Sequence, residues 1–430
     1  MKKLNIITMG CSKNLVDSEH LAGRCAAAGY GVVFDSDETD AKVVVVNTCG
    51  FIGDAKEESI EMILGLAEAR ARGDIERLYV IGCLSERYAD ELRAEIPEVD
   101  SFFGARTLDD IVNELEVAAS PKRRVLSTPP HYAYLKISEG CDRRCGFCAI
   151  PLIRGSHVSV PMEELIAEAE QLAAGGVREL IVIAQDTTYY GIDIYGERRL
   201  AELLRRLARI EGIEWIRLHY AYPAGFPQDV IEAMREEPKI CKYLDIPLQH
   251  ISDNQLNAMK RGLGSVGTRE LVQKLRAEIP ELAIRTTMLV GYPGETEADF
   301  EELVEFVREA RFERLGVFPY SAEEGTHSAE QLTDDVPDEV KQRRAERIME
   351  VQAGISADIN AARVGTIERV IVDRREGDSL VCRSQHDSPE VDCEIIVSDA
   401  TAREGDFITV RITGASEFDL TGEQWLVVSG

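Results

Sequence analysis

Gly140–Cys148 has the sequence GCDRRCGFC, which places three thiols at a C-x3-C-x2-C spacing. Three thiolates in so short a loop can hold three irons of a 4Fe-4S cube, a cluster that usually takes four cysteines. The remaining iron would stay open to a small molecule. Gly140 and Gly146 allow the backbone to turn tightly around the sulfurs. The spacing therefore indicates a metal centre with an open coordination position.

A structural zinc site and a disulfide framework are the alternatives for these thiols. Zinc usually takes four ligands in a closed tetrahedron, and residues 149–170 contain a single further Cys or His, His157. No apolar run approaches the length of a membrane span, and Met1–Lys3 leads into a strand-like segment rather than a signal-peptide core. We therefore expect a cytoplasmic protein with no membrane partner, whose cysteines are ligands or buried thiols rather than disulfides.

The first part of the chain repeats one pattern: a strand-like run that ends at a cysteine and is followed by helical periodicity. The runs are residues 4–10 before Cys11, 43–48 before Cys49 and 78–82 before Cys83. This alternation predicts a parallel α/β layer. Because ligands bind at the carboxyl ends of the strands in such a sheet, the three cysteines should converge on one crevice. Each alone could also be a small buried side chain, which is what we expect for Cys25 in the middle of a helix.

The middle of the chain alternates six strand candidates with helices, after a linker-like stretch around residues 120–130. The strand candidates are residues 132–138, 179–184, 215–221, 243–248, 284–290 and 315–320. Six βα units predict an open, partial (β/α)6 barrel with its functional groups at the C-terminal strand ends. Cys141 follows the first strand. We expect His219 and His250, which end the third and fourth strands, to form hydrogen bonds rather than to bind metal.

Two further features follow the barrel. The helix predicted over residues 339–362 carries Arg343, Arg344 and Arg347, which we interpret as a solvated basic face. Five short strands then predict a small β-barrel of the oligonucleotide-binding shape, at residues 368–372, 379–383, 392–397, 407–413 and 424–428. Cys382 and Cys393 fall within this barrel and are expected to be packing residues.

The charge of the chain limits its partners. The net charge is −28, and residues 366–430 contain fourteen acidic and six basic side chains. A protein that binds nucleic acid through phosphates needs a basic surface. The acidity can serve solubility alone, but it also favours a basic macromolecule as partner.

Several stretches of the sequence resemble the methylthiotransferase branch of the radical S-adenosylmethionine (SAM) enzymes. They are GCSKNLVDSE at residues 10–19, NTCGFI at 47–52, GCLSERY at 82–88 and ISEGC at 137–141, together with the cysteine loop. The resemblance extends over nearly the whole chain, and it is greatest to members that modify ribosomal protein S12. Ser12 departs from the proline common there, which should affect the turn beside Cys11 and not metal ligation.

The resemblance implies three domains: an N-terminal methylthiotransferase domain (1–118), a radical SAM barrel (128–362) and a C-terminal TRAM domain (364–430). It also implies two 4Fe-4S clusters. Cys141, Cys145 and Cys148 would hold the radical cluster, and Cys11, Cys49 and Cys83 an auxiliary one. Phe147 would lie beside the adenine of SAM, with Gln185, Asp186, Val290 and Gly291 lining the SAM site.

The implied reaction adds a methylthio group to the β-carbon of an aspartate of ribosomal protein S12. One SAM would be the radical source and another the methyl donor, and an electron donor and a sulfur donor are also needed. The alternatives are a methylthiotransferase acting on a tRNA adenosine and a non-catalytic iron–sulfur protein that binds RNA. A plain SAM methyltransferase would not need six cysteines at strand ends.

Overall fold

The structure is a computed structural model that describes residues 2–37, 40–115, 117, 123–398 and 400–425. The chain divides into two compact units. The first unit consists of residues 1–128, 139–158 and 323–326, and the second of residues 129–138, 159–322 and 327–430. All six candidate cysteine ligands therefore belong to the first unit. The boundaries of the three implied domains stay a prediction.

The first unit is built on a parallel five-stranded sheet in the order β2-β1-β3-β4-β5. Its strands are β1 (Lys3–Thr8), β2 (Gly31–Phe34), β3 (Val43–Thr48), β4 (Arg77–Gly82) and β5 (Ser101–Phe102). Its helices are α1 (Ser12–Ala27), α2 (Gly53–Arg72), α3 (Cys83–Glu95), α4 (Leu108–Glu114) and the single turn α5 (Ile150–Ile153). The four consecutive valines of β3 suit a central strand that is covered on both faces. The predicted α/β layer is confirmed, with two short edge strands, β2 and β5, that the periodicity did not indicate.

The second unit contains a parallel six-stranded sheet whose strands follow one another in chain order. They are β6 (Tyr132–Lys136), β9 (Glu179–Ile183), β10 (Trp215–Leu218), β11 (Ile240–Asp245), β12 (Ala283–Val290) and β13 (Arg314–Pro319). The short strands β7 (Ser138–Glu139) and β8 (Val158–Ser159) form a separate ribbon at the points of the chain where the two units divide. The helices are α6 (Met162–Ala174), α7 (Ile192–Tyr195), α8 (Leu200–Leu207), α9 (Gln228–Glu236), α10 (Asp253–Ala258), α11 (Ser265–Glu278), α12 (Glu297–Ala310), α13 (His327–Gln331) and α14 (Asp338–Arg363). Since β6 and β13 are the two edges, the sheet is the open (β/α)6 barrel that was predicted.

The C-terminal part of this unit is a closed five-stranded barrel in the order β14-β15-β16-β18-β17. Its strands are β14 (Ile367–Glu376), β15 (Ser379–Ser384), β16 (Ile395–Ser398), β17 (Phe407–Ala415) and β18 (Leu420–Gln424). The fifth predicted strand, residues 424–428, is wrong in position. A turn in which the Ser416 N–H donates to the Asp419 carbonyl at 2.8 Å starts β18 at Leu420, and residues 426–428 lie outside the described residues. Cys382 and Cys393 are buried in the barrel core, as expected.

A buried ion network joins the small barrel to the large sheet. The Glu179 carboxylate on β9 accepts from Arg217 Nε on β10 at 2.8 Å and from Arg383 Nη2 on β15 at 2.7 Å. All three side chains are at most 2% exposed. Arg217 also donates to the Gln385 carbonyl at 2.7 Å. The small barrel is therefore an integral part of the second unit.

The loop between β15 and β16, residues 385–394, continues this attachment. Ser388 Oγ lies 3.0 Å from His219 Nε2, and the Tyr243 hydroxyl donates to Asp392 at 2.7 Å. His219 is 5% exposed. The expectation that His219 forms hydrogen bonds is confirmed, and its partner comes from the C-terminal barrel.

The basic face predicted on α14 is wrong for Arg344. Its side chain is 6% exposed, and Nη1 and Nη2 donate to Glu295 at 2.7 Å and to Glu297 at 3.1 Å. Arg343 and Arg347 are exposed. Helix α14 packs against α12, so that one arginine of the stripe is directed into the unit, where two carboxylates compensate its charge.

The structure offers no helix, within the part of the chain that it describes, with the length and apolar character needed to cross a bilayer.

Candidate metal centre

Three cysteines, Cys11, Cys49 and Cys83, lie at the carboxyl ends of the adjacent strands β1, β3 and β4; we refer to them as the N-terminal triad. Cys11 is exposed and precedes α1, Cys49 is half-buried, and Cys83 is buried as the first residue of α3. None of the three is in a disulfide. The order of the strands therefore places the three thiols side by side at one sheet edge, as predicted.

Glycines bring these strand ends into close contact. A Cβ atom on Gly10 would lie 2.8 Å from Cys49 Cβ and 3.1 Å from Cys49 Sγ, and one on Gly50 would lie 2.7 Å from the Cys83 carbonyl carbon. Gly82, with φ of 105°, would meet the Thr48 carbonyl oxygen at 2.5 Å. The three cysteines can approach one another only because their neighbours have no side chains.

Replacing Gly10 with alanine is expected to reduce iron binding by the N-terminal triad. At φ of 93° an alanine costs about 1–2 kcal/mol, and its methyl group would in addition push against Cys49. Gly29→Ala is the matched control, since Gly29 has φ of 89° and open space within 4 Å. Iron content after reconstitution should fall in Gly10→Ala and not in Gly29→Ala; an equal loss in both would contradict a role for the close approach.

Asn14 on α1 ties the strand ends together. Its amide nitrogen donates to the carbonyls of Met9 and Thr48, each at 3.0 Å, and its Oδ1 lies 3.7 Å from Cys83 Sγ. Asn47 Nδ2 donates in turn to the Asn14 carbonyl at 2.8 Å. These buried bonds fix the ends of β1, β3 and β4 relative to one another.

Burial controls the protonation of two thiols of the N-terminal triad, Cys49 and Cys83. It raises the pKa of Cys83 to about 11, although the guanidinium of Arg154 opposes the rise and the neighbouring Cys11 and Cys49 add to it. Burial also raises the pKa of Cys49. Both thiols are therefore protonated near neutral pH, and a metal would have to displace those protons.

The cysteine loop contributes a second group, Cys141, Cys145 and Cys148, which we call the loop triad. The Cys141 N–H donates to the Gly155 carbonyl at 3.0 Å, and the Cys148 N–H donates to the Cys145 carbonyl at 3.1 Å. A Cβ on Gly140, where φ is 74°, would lie 2.1 Å from the Ser156 carbonyl oxygen. The two ends of the loop therefore meet, as a tight turn around a cluster requires.

The chain that follows the loop triad packs against Cys83 of the N-terminal triad within the first unit. Ala149 and Ile153, which follow Cys148, form one buried apolar cluster with Cys83 and Ala105. Arg154 Nε donates to Cys83 Sγ at 3.3 Å. The sequence indicated both triads but gave no sign that the residues after Cys148 contact Cys83, and it assigned no role to Arg154.

Among the described residues, no three Cys, His, Asp or Glu side chains are arranged to hold one metal ion. In a 4Fe-4S cluster each cysteine binds a different iron, so the sulfurs stand further apart than the ligands of a single ion.

The residues predicted to contact SAM belong to both units. Phe147 is half-buried in the first unit. In the second unit Asp186 follows β9, and its carboxylate accepts from the Thr188 N–H at 2.9 Å and the Thr188 hydroxyl at 2.6 Å. Gln185 precedes it and is half-buried. These positions at strand ends are those that the barrel topology predicts, and contact with SAM stays a prediction.

The predicted contacts at the end of β12 lie in a strand-to-helix turn. Val290 is fully buried, and Gly291, with φ of 71°, donates its N–H to the Glu295 carboxylate at 2.5 Å. Glu295 also lies 3.0 Å from His250 Nε2, and His250 Nδ1 accepts from the Ser252 N–H at 3.0 Å. Both ring nitrogens of His250 are therefore engaged in hydrogen bonds, as expected.

Two strand ends of the six-stranded sheet carry an unusual backbone conformation that the sequence did not reveal. Tyr220 after β10 has φ of 56° and Gln249 after β11 has φ of 74°. Gln249 is held by hydrogen bonds on both sides, from its N–H to the Thr287 carbonyl at 2.8 Å and from the Leu289 N–H to its carbonyl at 2.7 Å. Non-glycine residues in the left-handed region are common at ligand sites, which is consistent with a site at this end of the sheet.

Three family models match the chain. They are the Radical SAM superfamily over residues 135–307, the uncharacterized protein family UPF0004 over residues 3–104 and the TRAM domain over residues 364–424.

Curated proteins named ribosomal protein uS12 methylthiotransferase RimO match almost the whole chain. The protein from Christiangramia forsetii is 53% identical over 426 residues, which are 98% of this chain and 94% of the relative. The protein from Bacteroides thetaiotaomicron is 52% identical with 97% of each chain covered. The protein from Flavobacterium johnsoniae is 54% identical over 98% of each chain.

Solved structures share the fold at low sequence identity. The radical S-adenosylmethionine methyltransferase TsrM from Kitasatospora setae, with cobalamin and a 4Fe-4S cluster bound, gives a TM-score of 0.58 at 15% identity and covers 76% of this chain and 77% of its own. The cobalamin-dependent S-adenosylmethionine radical enzyme OxsB gives a TM-score of 0.52 at 12% identity, over 81% of this chain and 56% of its own.

Proposed function

Since this chain belongs to the ribosomal protein uS12 methylthiotransferase family of radical SAM enzymes, we propose that it adds a methylthio group to ribosomal protein S12. The acceptor in this proposal is the β-carbon of an aspartate. The observation that carries the proposal is that both cysteine triads belong to one unit, with Cys83 in contact with the chain that follows Cys148.

Membership in the radical SAM superfamily supports an iron–sulfur cluster and SAM as cofactors. We assign that cluster to the loop triad, where three thiols leave one iron for SAM. When bound, the cluster and SAM supply a radical able to take hydrogen from an unactivated C–H bond, which acid–base side chains cannot do. The closed loop around Gly140 holds the three ligands, and Phe147 would face the adenine.

A second cluster at the N-terminal triad is the finer part of the proposal. The acceptor carbon has to receive sulfur after it has lost hydrogen, so a sulfur carrier must stand near the source of the radical. Cys11, Cys49 and Cys83 would leave one iron open for that sulfur, and a second SAM would provide its methyl group. The burial of Cys83 would keep water and other thiols from this part of the site. The sulfur and electron donors are further partners that this reaction needs.

Iron content tests the two-cluster proposal directly. Anaerobically reconstituted protein should contain about eight irons, and about four after alanine replacement of either triad, as two 4Fe-4S cubes require. SAM should perturb the electron paramagnetic resonance (EPR) signal only in the variant that retains the loop triad. Four irons in the wild type and none without the loop triad would show that the N-terminal triad is not a cluster site.

The substrate is tested by offering purified S12 and undermodified tRNA to the same preparation. Mass spectrometry should detect a methylthio group on an S12 aspartate and no change in the tRNA. Modification of the tRNA alone would replace the proposal by the tRNA adenosine methylthiotransferase alternative.

Because its substrate belongs to the ribosome, we infer a cytoplasmic location.

Association with S12 is expected to weaken as salt is raised. The net charge of −28 favours encounter with a basic ribosomal protein, and mobile ions screen such attraction within about 8 Å at physiological ionic strength. The association rate, measured by stopped-flow mixing from low to high salt, should fall severalfold while the dissociation rate changes less. A salt-independent association rate would contradict charge steering.

A further inference from the structure

Arg154 occupies a position between the two triads that the sequence did not suggest. It follows the loop triad by six residues and forms part of the first unit. Its side chain is 2% exposed. A buried guanidinium is retained only where its charge is compensated and its donors have acceptors. The hydrogen-bond acceptors of Arg154 therefore indicate which groups it positions.

Each nitrogen of the guanidinium has a partner. Nη1 donates to Asp17 at 2.8 Å and to Glu139 at 3.1 Å, and Nη2 donates to Asn14 Oδ1 at 2.5 Å. Nε donates to Cys83 Sγ at 3.3 Å. One of the two carboxylates would suffice to neutralise the charge of the guanidinium, and the fourth acceptor is a sulfur of the N-terminal triad.

These four side-chain partners come from both sides of the candidate site, and Nη1 also donates to the Ala105 carbonyl at 3.4 Å. Glu139 is the second residue before Cys141 and thus stands at the start of the cysteine loop, while Arg154 stands beyond its end. Asn14 and Asp17 lie on α1, directly after Cys11. The guanidinium therefore closes the loop that carries one triad and at the same time contacts a ligand of the other.

We propose that Arg154 is a positioning residue that holds the Cys83 thiolate for an auxiliary cluster and, through its N–H and its charge, raises the reduction potential of that cluster. The inference rests on the proposed function, because it needs a cluster at the N-terminal triad. Hydrogen bonds to cluster sulfurs and nearby positive charge favour the reduced, more negative form of an iron–sulfur cluster. Asp17 and Glu139 would act in the opposite sense, since their two formal negative charges exceed the single positive charge of the guanidinium.

The test uses the full chain with Cys141, Cys145 and Cys148 replaced by alanine, so that only the auxiliary cluster assembles. Its midpoint potential is measured by redox titration followed by EPR. In this background Arg154→Met should lower the midpoint potential by about 59 mV. For a one-electron couple this shift makes the ratio of reduced to oxidised cluster about tenfold smaller at a fixed applied potential. Asp17→Asn should raise it, because the arginine then keeps its contact with Cys83 and loses a compensating carboxylate.

Arg124→Met is the matched control. Arg124 is another buried arginine of the first unit, with a side chain 3% exposed, and it pairs with Glu19. Its replacement breaks a buried ion pair without touching a cysteine, so it should destabilise the protein and leave the potential unchanged. A merely structural role of Arg154 would give the same result as this control.

Opposite shifts in Arg154→Met and Asp17→Asn support the inference, and unchanged potentials or shifts of the same sign overturn it. If Arg154→Met assembles no cluster, the sign of the shift in Asp17→Asn decides. If the background variant itself binds no iron, the proposed auxiliary cluster is absent, and the inference falls together with that part of the proposed function.

Discussion

Replacing Glu179 with glutamine is expected to lower the free energy of unfolding by about 3–5 kcal/mol, which is the usual cost of removing one partner of a buried ion pair. Glutamine keeps the shape of the side chain but leaves Arg217 and Arg383 buried without their shared counter-charge. Burial alone would raise the pKa of Glu179, but Arg383 and Arg217 hold it below its usual range, so the carboxylate is ionised in the folded protein. Urea denaturation of the wild type and of the Glu179→Gln variant measures this difference in the free energy of unfolding.

The control for this prediction is Glu163→Gln. Glu163 is an exposed acid on α6 that pairs with Arg206 at 3.2 Å, and solvent-exposed pairs contribute little to stability. Its replacement should leave the unfolding midpoint almost unchanged. Equal midpoints for Glu179→Gln and Glu163→Gln would show that the buried network does not hold the small barrel against the large sheet.

Replacing Cys11 with alanine is expected to abolish the transfer of a methylthio group to S12 while reductive cleavage of SAM continues. Cys11 is exposed, so its thiol contributes little to packing and its loss should report on ligation. Loss of residues that only support metal ligands already costs about 10–100-fold, and loss of a ligand should reduce methylthiolation below about one hundredth of the wild-type rate. Mass spectrometry of S12 and chromatography of the SAM products measure the two activities on one sample.

Cys25→Ala provides the comparison for Cys11→Ala. Cys25 lies on α1, the helix that Cys11 precedes; it is fully buried, and burial raises its pKa to about 12. Its replacement should lower stability by about 1 kcal/mol for the cavity that it leaves and should preserve methylthiolation. If Cys11→Ala retained methylthiolation, or if SAM cleavage disappeared with it, the N-terminal triad would not be a separate sulfur-handling site.

The small C-terminal barrel has the shape of a nucleic-acid-binding module, but part of its surface is already used within the chain. Ser388 contacts His219, Asp392 accepts from Tyr243, and Arg383 pairs with Glu179. These residues lie on β15 and on the loop that follows it. The attachment gives the barrel a structural role in the second unit, independent of any partner that binds elsewhere on it.

Local patterns were sufficient to predict much of this protein. The spacing of Cys141, Cys145 and Cys148 depends on a single loop. Alternating βα periodicity defined the large sheet and the three central strands of the first sheet, because strands that follow one another in such units pair in a predictable order. The positions of Cys11, Cys49 and Cys83 after three strands were enough to place them at one sheet edge. The position of β18 was predicted wrongly because this short strand does not depend on local spacing alone. A turn and the neighbouring strands of the closed barrel set the residue at which it starts.

The sequence by itself thus determined the candidate ligands, the consecutive strands of the large sheet and the family, since each depends on short-range spacing or on motifs. Only the tertiary structure decided which charged residues are buried. Arg154, Arg344 and Glu179 resemble surface residues in the sequence, and their burial depends on partners that lie far away in the chain: Asn14 is 140 residues from Arg154, Glu295 is 49 from Arg344, and Arg383 is 204 from Glu179. A buried charge is stable only with its partner in place, so its role becomes visible only when the folded chain brings the two together.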